Sequence, residues 1–154
     1  MSASPSRGLY FNEFEVGQIV ISPARTITVA DVVAFAGLSG DYNPLHTDSE
    51  FAEATPYGQR IAHGLLGLSV ASGLAARSGF IDGTVQAFTG LTWKFRRPIL
   101  LGDTIRIKAV VTKTRAMSSM GGGMVVLNVT VLNQRDEAVQ RGEWTLLIKG
   151  QDAG

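Results

Sequence analysis

The apolar and polar positions divide the chain into two parts of different character. From residue 85 onward, runs rich in Val, Ile, Thr and aromatic residues occupy 85–95, 104–114, 124–133 and 138–148. Turn-forming stretches at 98–103, 121–123 and 134–137 separate them, so four consecutive strands and an antiparallel meander are predicted. Before residue 85 the period is helical. Thr28-Val29-Ala30-Asp31 reads as a capping box that opens a helix through Val32, Val33, Phe35, Ala36 and Leu38, with Gly40 as its stop. A first strand is predicted within 19–28, with Pro23 marking an edge or a bulge. A short helix over 48–54 starts on Asp48 and ends at Pro56-Tyr57-Gly58.

The second main helix spans 64–77. Leu65, Leu66, Leu68, Val70, Ala71, Leu74 and Ala75 cover most of its circumference, and a helix that is apolar nearly all round is a buried one. The order strand, helices, four strands predicts an α+β architecture, with a curved antiparallel sheet wrapped around this central helix.

Composition narrows the classes of function. A chain of 154 residues supports one domain, expected over 14–150 behind a flexible N-terminal lead over 1–13. Hydrophobic residues make up 45% and the formal net charge is +1, without the basic excess of a nucleic-acid binder. The absence of cysteine excludes disulfides and thiolate catalysis. Two histidines without an acidic cluster around them give no expectation of a metal, and no cofactor is expected. The most apolar run, 61–76, is interrupted by His63 and by small polar or glycine positions, short of a membrane span. With no apolar core in its first seven residues to suggest a signal peptide, the protein is expected in the cytoplasm.

The candidate chemistry lies in Ser39-Gly40-Asp41-Tyr42-Asn43-Pro44-Leu45-His46, followed by Ala62-His63-Gly64 at the start of the apolar helix. A carboxylate, an amide and an imidazole share one short turn, which Pro44 stiffens by fixing its own φ and restricting Asn43. Each residue alone has a plainer reading: Asp after Gly and Asn before Pro are ordinary turn chemistry, and a glycine can serve helix packing. Together they supply a base, a proton-handling partner and, at the helix N-terminus, a free N–H and a positive dipole end beside Gly64. Those are the requirements for adding water to a conjugated acyl group.

This string, together with Gly90-Leu91-Thr92-Trp93-Lys94-Phe95-Arg96-Arg97-Pro98-Ile99-Leu100-Leu101-Gly102-Asp103, resembles the MaoC-like family of hotdog-fold hydratases, R-specific enoyl-CoA hydratases in particular. The resemblance implies a hotdog fold and hydration of a trans-2-enoyl-CoA to the (3R)-3-hydroxyacyl-CoA. It implies that Asp41 and His46 flank the attacking water, that Asn43 braces their loop, and that the Gly64 N–H meets the thioester oxygen. His63 is expected to be structural. Leu68, Ser72 and Ala75 are expected to carry the pocket along the helix, and the small Ala75 suggests acyl groups longer than crotonyl. Arg96 and Arg97, with Lys94 before them and Lys113 and Arg115 on the next strand, would meet the CoA phosphates, or else form a solvated strand face. The run 117–123 reads as a turn or as a flap over the ligand channel. An acyl-CoA substrate and a homodimer or dimer of dimers are the implied partners. Three other readings stay open: a dehydratase acting on carrier-protein thioesters, a non-catalytic acyl-CoA-binding domain, and, lowest in rank, a thioesterase.

Overall fold

Local hydrogen bonds place the helices where their capping residues stand. The computed structural model describes residues 7–151. Thr28 and Asp31 exchange capping bonds, with Asp31 N–H donating to Thr28 Oγ1 at 3.2 Å and Thr28 N–H donating to Asp31 Oδ2 at 2.9 Å. They open α1, Val29–Ser39, which stops at Gly40 in the left-handed conformation at φ 79°. Helix α2, Pro44–Thr47, has Asn43 as its N-cap and Pro44 at its first position, where the missing N–H costs nothing. Asp48 caps α3, Ser49–Glu53, and the longest helix is α4, Gly64–Arg77.

The predicted first strand is two short ones, β1 at Ile19–Ile21 and β2 at Arg25–Thr26, interrupted around Pro23 and both antiparallel to β4. The long strands are β3, Val85–Phe95; β4, Thr104–Met117; β5, Gly122–Leu132; and β6, Ala138–Ile148. The order across the main sheet is β1-β4-β5-β6-β3. Strands β4, β5 and β6 form the predicted meander, but β3 pairs with β6 instead of its sequence neighbour β4. The 96–103 connection therefore spans from β3 past β6 and β5 to β4, and along it Ile99 O accepts from Ala62 N–H at 2.8 Å and Asp103 O from Ile27 N–H at 2.8 Å.

The expected curved sheet wrapped around a central helix does not form. The sheet is open, with β1 and β3 as its two edges, and α4 is covered on one side only. Leu66, Val70, Ala71, Leu74 and Ala75 face the core, while Leu65 is 60% exposed and Ser69, Ser72, Gly73 and Ala76 lie outward. Its outer stripe is small and polar apart from Leu65, so no strand is needed to cover it. The architecture is an antiparallel, hotdog-like sheet with helices.

The core between α4, α1 and the sheet holds Val32, Ile105, Ile107, Leu127, Trp144 and Leu146. Of the expected N-terminal lead, residues 1–6 lie outside the described residues. Gly8 N–H donates to Asp82 O at 2.7 Å, Leu9 N–H to Phe80 O at 2.8 Å and Phe11 N–H to Lys149 O at 2.9 Å, so this stretch is seated on the body. No described helix is long and apolar enough to cross a membrane.

Candidate active site

Three segments far apart in sequence meet at one place: the loop after α1, the short helix α2, and the first turn of α4. Gly40 turns the chain so that Asp41 follows immediately, with Asp41 N–H donating to Ser39 Oγ at 3.1 Å. The Asp41 carboxylate accepts from Asn43 N–H through Oδ1 at 3.2 Å, an Asx turn that leaves Oδ2 without a hydrogen bond among the described residues. Asn43 in turn accepts from Leu45 N–H at 3.1 Å, which fixes the start of α2 and so the direction of His46.

The tautomers follow from the partners. His46 Nδ1 lies 2.8 Å from Ile61 O, and a carbonyl can only accept, so Nδ1 carries the hydrogen. In the neutral ring, His46 Nε2 is then a bare acceptor. His63 Nε2 lies 2.9 Å from the main-chain O of Asp41 and donates to it by the same reasoning. The two rings stack with centroids 3.9 Å apart and planes 27° from parallel. One ligand-type atom from each of Asp41, His46 and His63 lies within 4.8 Å of the others. Folding thus brings a carboxylate to both histidines, where the sequence shows no acidic cluster. With Nδ1 of His46 and Nε2 of His63 engaged by carbonyls, only one nitrogen of each ring would remain to a metal ion.

These groups stand on the wall of a cavity of about 750 Å³, within the range of small-molecule sites. Phe35, Tyr57, Ile99 and Phe95 give it apolar surface, and Gly64 lies on the same wall. As the first residue of α4, Gly64 has an N–H with no acceptor inside the helix. A Cβ at residue 64 would stand 2.8 Å from the Phe95 ring, so glycine is what lets this turn approach β3 so closely. Gln140, 2% exposed on β6, ties the turn in place by donating from Nε2 to Gly64 O at 3.0 Å. Its Oε1 accepts from Trp93 Nε1 at 3.0 Å. Replacing Gln140 with Leu would strip partners from the Trp93 N–H and the Gly64 carbonyl together. Urea titration is expected to show a loss of about 1–3 kcal/mol, the cost of leaving such groups unpaired.

Of the residues singled out in the sequence, Asp41, His46, Gly64, Arg96 and Arg97 line this one cavity. Asn43 stands behind it as the α2 cap. Leu68, Ser72 and Ala75 do not line it: Leu68 packs half-buried on the core, Ser72 is exposed with Oγ donating to Ser69 O at 2.6 Å, and Ala75 is 1% exposed in the core. Arg97 pairs with Glu137 at 3.0 Å, whereas Arg96 has no carboxylate within salt-bridge distance among the described residues. Hydrogen bonds from Arg135 and then Asn133, with the charges of Arg135 and Arg97, hold the Glu137 carboxyl below its usual range. Lys113, Arg115 and the 117–123 turn lie away from the cavity lining. The residues that sequence reasoning passed over are Tyr57, Phe95 and Gln140, and His63, expected to be structural, also lines the cavity. For Gln140 a signal existed: an uncharged polar residue two positions before Gly142 in a strand whose alternate residues, Trp144, Leu146 and Ile148, face the core.

An open antiparallel sheet carrying one long helix, with an Asp and a His presented beside that helix's N-terminus, defines a hotdog-like architecture. Residues 12–133 match the family described as MaoC like domain. A 3-hydroxybutyryl-CoA dehydratase from Methylorubrum extorquens is 37% identical over 107 residues, 70% of this chain and 66% of that protein. An (R)-specific enoyl-CoA hydratase from Rhodospirillum rubrum is 35% identical over 103 residues, 67% of this chain and 69% of its own. Among solved structures, a monoamine oxidase regulatory protein from Archaeoglobus fulgius superposes with a TM-score of 0.88 at 34% identity, covering 97% of this chain and 99% of that one. The chain belongs to the MaoC-like family.

Proposed function

We propose that this chain is a hydro-lyase that reversibly hydrates trans-2-enoyl-CoA to (3R)-3-hydroxyacyl-CoA. The observation that carries the reading is that the Asp41 carboxylate and a ring nitrogen of His46 lie within 4.8 Å of one another on the wall of a cavity that Gly64 also lines, with His46 Nε2 the nitrogen left without its hydrogen. A water held between these two groups loses one proton to the dyad as its oxygen bonds to Cβ of the enoyl group. The Cα–Cβ π pair moves toward the thioester, leaving an enolate oxygen. The N–H of Gly64 and the positive end of α4 stabilise that charge, a role worth more here than in bulk water. The dyad then returns one proton to Cα, so the catalyst ends as it began. Asn43 acts by setting the direction of α2. Arg96 and Arg97 at the cavity wall suit the negatively charged end of the thiol carrier. The (R) configuration is supported by the Rhodospirillum relative.

The test is loss of the enoyl absorbance on adding protein to crotonyl-CoA and to trans-2-octenoyl-CoA. Turnover of both is expected, since a cavity of about 750 Å³ has room for an acyl chain longer than four carbons. An enzyme that turns over only the four-carbon substrate would refute the chain-length part of the proposal.

The same proposal includes a homodimer in the cytoplasm. Strand β3 is an unpaired sheet edge that exposes Val85, Phe88, Leu91 and Phe95 by 37–54%. An edge of that kind is normally covered. Analytical ultracentrifugation is expected to give twice the 16.4 kDa chain mass, and Leu91→Lys is expected to give the monomer. A monomeric wild type would remove the dimer from the proposal.

A further inference from the structure

We infer that His63 is a positioning residue for the hydration reaction, binding the three working parts of the site to one another; the inference rests on the hydratase reading above. His63 is 2% exposed, and each of its contacts reaches a different part of the site. Its Nε2 donates to the main-chain carbonyl of Asp41 across 22 residues of sequence at 2.9 Å, which fixes the backbone that carries the carboxylate. Its ring lies 3.9 Å from that of His46, nearly parallel to it. Its backbone is the N-cap of α4, directly before Gly64, and its carbonyl accepts from Gly67 N–H at 3.2 Å. Carboxylate, imidazole and helix N-terminus are therefore all in contact with one residue, His63, which links what Asn43 and Gln140 hold separately.

The tautomer gives the stack a chemical consequence. His63 Nδ1 is buried and has no hydrogen-bond partner among the described residues. A hydrogen placed there would have no acceptor, so the ring carries its hydrogen on Nε2 alone and is uncharged. When His46 takes a proton from the attacking water, the cation that forms lies against the face of an uncharged aromatic ring, an attractive arrangement. Phe35 tilts against His63 with centroids 4.9 Å apart and limits its rotation. Asp41 and His46 are the carboxylate and the imidazole grouped with His63, and Tyr57, Arg96 and Arg97 line the same cavity. The two actions, anchoring Asp41 and facing the His46 cation, use different properties of the side chain and are separable by substitution.

His63→Phe keeps an aromatic face and loses the donor; His63→Gln keeps an N–H donor and loses the ring. Steady-state kinetics with crotonyl-CoA, beside thermal melts of each variant, test the inference. Each substitution is expected to lower kcat about 10- to 100-fold with KM within about threefold, because misplacement of catalytic groups by a fraction of an ångström is felt in the transition state. His63→Ala, which removes both properties, is expected to lose more than either. Ring 15N spectra of the wild type are expected to show hydrogen on Nε2 for His63 and on Nδ1 for His46. Folded variants with kcat within twofold of wild type, or with their losses confined to KM, would overturn the positioning role and leave the hydratase reading standing. A wild type without turnover on either enoyl-CoA overturns both, and an Nδ1 hydrogen on His63 removes the stacking argument whatever the kinetics.

Discussion

Asp41→Asn and His46→Gln are each expected to lower kcat for crotonyl-CoA hydration by about 10²- to 10⁴-fold, the usual worth of a positioned acid–base group. KM should change little, because the proposed mechanism puts the dyad on the water and the arginines at the cavity wall on the thiol carrier. The substitutions are chosen to spare the scaffold. An Asn at residue 41 can still accept from the Asn43 N–H through its amide oxygen, so the Asx turn survives while the negative charge is lost. A Gln at residue 46 can donate to Ile61 O but offers no basic nitrogen to the water. Thermal melts within a few degrees of wild type would separate loss of chemistry from loss of fold. The two losses should not add in the double variant, since both act on one water. Either variant retaining more than about a tenth of wild-type kcat would remove that residue from the mechanism.

Gly142→Ala is expected to destabilise the protein by about 3 kcal/mol or more, the upper end of overpacking costs. Its φ is not positive, and space is the issue. A Cβ at residue 142 would fall 1.9 Å from the main-chain oxygen of Thr92 and 2.8 Å from a ring carbon of Trp93. Gly142 and Trp93 are register partners between β6 and β3, so the clash can be relieved only by parting the strands or by displacing the indole. Displacing the indole would withdraw the N–H that Gln140 accepts, and Gln140 holds the first turn of α4. A loss of that size in a domain of this length lowers Tm by roughly 6–12 °C. Gly90→Ala, on β3 and with nothing within 4 Å of the added carbon, is the control and should melt close to wild type. If Gly142→Ala melts with the control, β3 and β6 do not approach so closely at this point.

The parts of the fold legible in the sequence are those that local chemistry decides. The box at Thr28 and Asp31, the stop at Gly40 and the cap at Asp48 act within a few residues, so the boundaries of α1 and α3 follow from composition and spacing, whereas the single turn of α2 reads in the sequence as a loop. β-branched and aromatic runs locate β3 and β6 to the residue, while β4 continues three residues beyond its predicted end, to Met117. The dyad is also legible, because Asp41 and His46 stand on one stiff turn whose geometry depends on Gly40, Asn43 and Pro44.

Pairing partners are another matter. An 11-residue strand presents the same alternation whether its neighbour is the next strand or the last, so only the tertiary structure decided that β3 joins β6 and that the sheet stays open. The covering of α4 differs from expectation for a related reason: an all-round apolar pattern states how many faces can be buried, and the strand order determines how many are. The roles of His63 and Gln140 are not legible because their partners lie 22 and 76 residues away, beyond any spacing rule. By itself the sequence determined the helices α1, α3 and α4, the four long strands, and the turn on which the Asp41 carboxylate and the His46 imidazole stand. The tertiary structure alone decided what those groups face, since a hydrogen bond or a ring stack between distant segments exists only after the chain has paid the entropy of bringing them together.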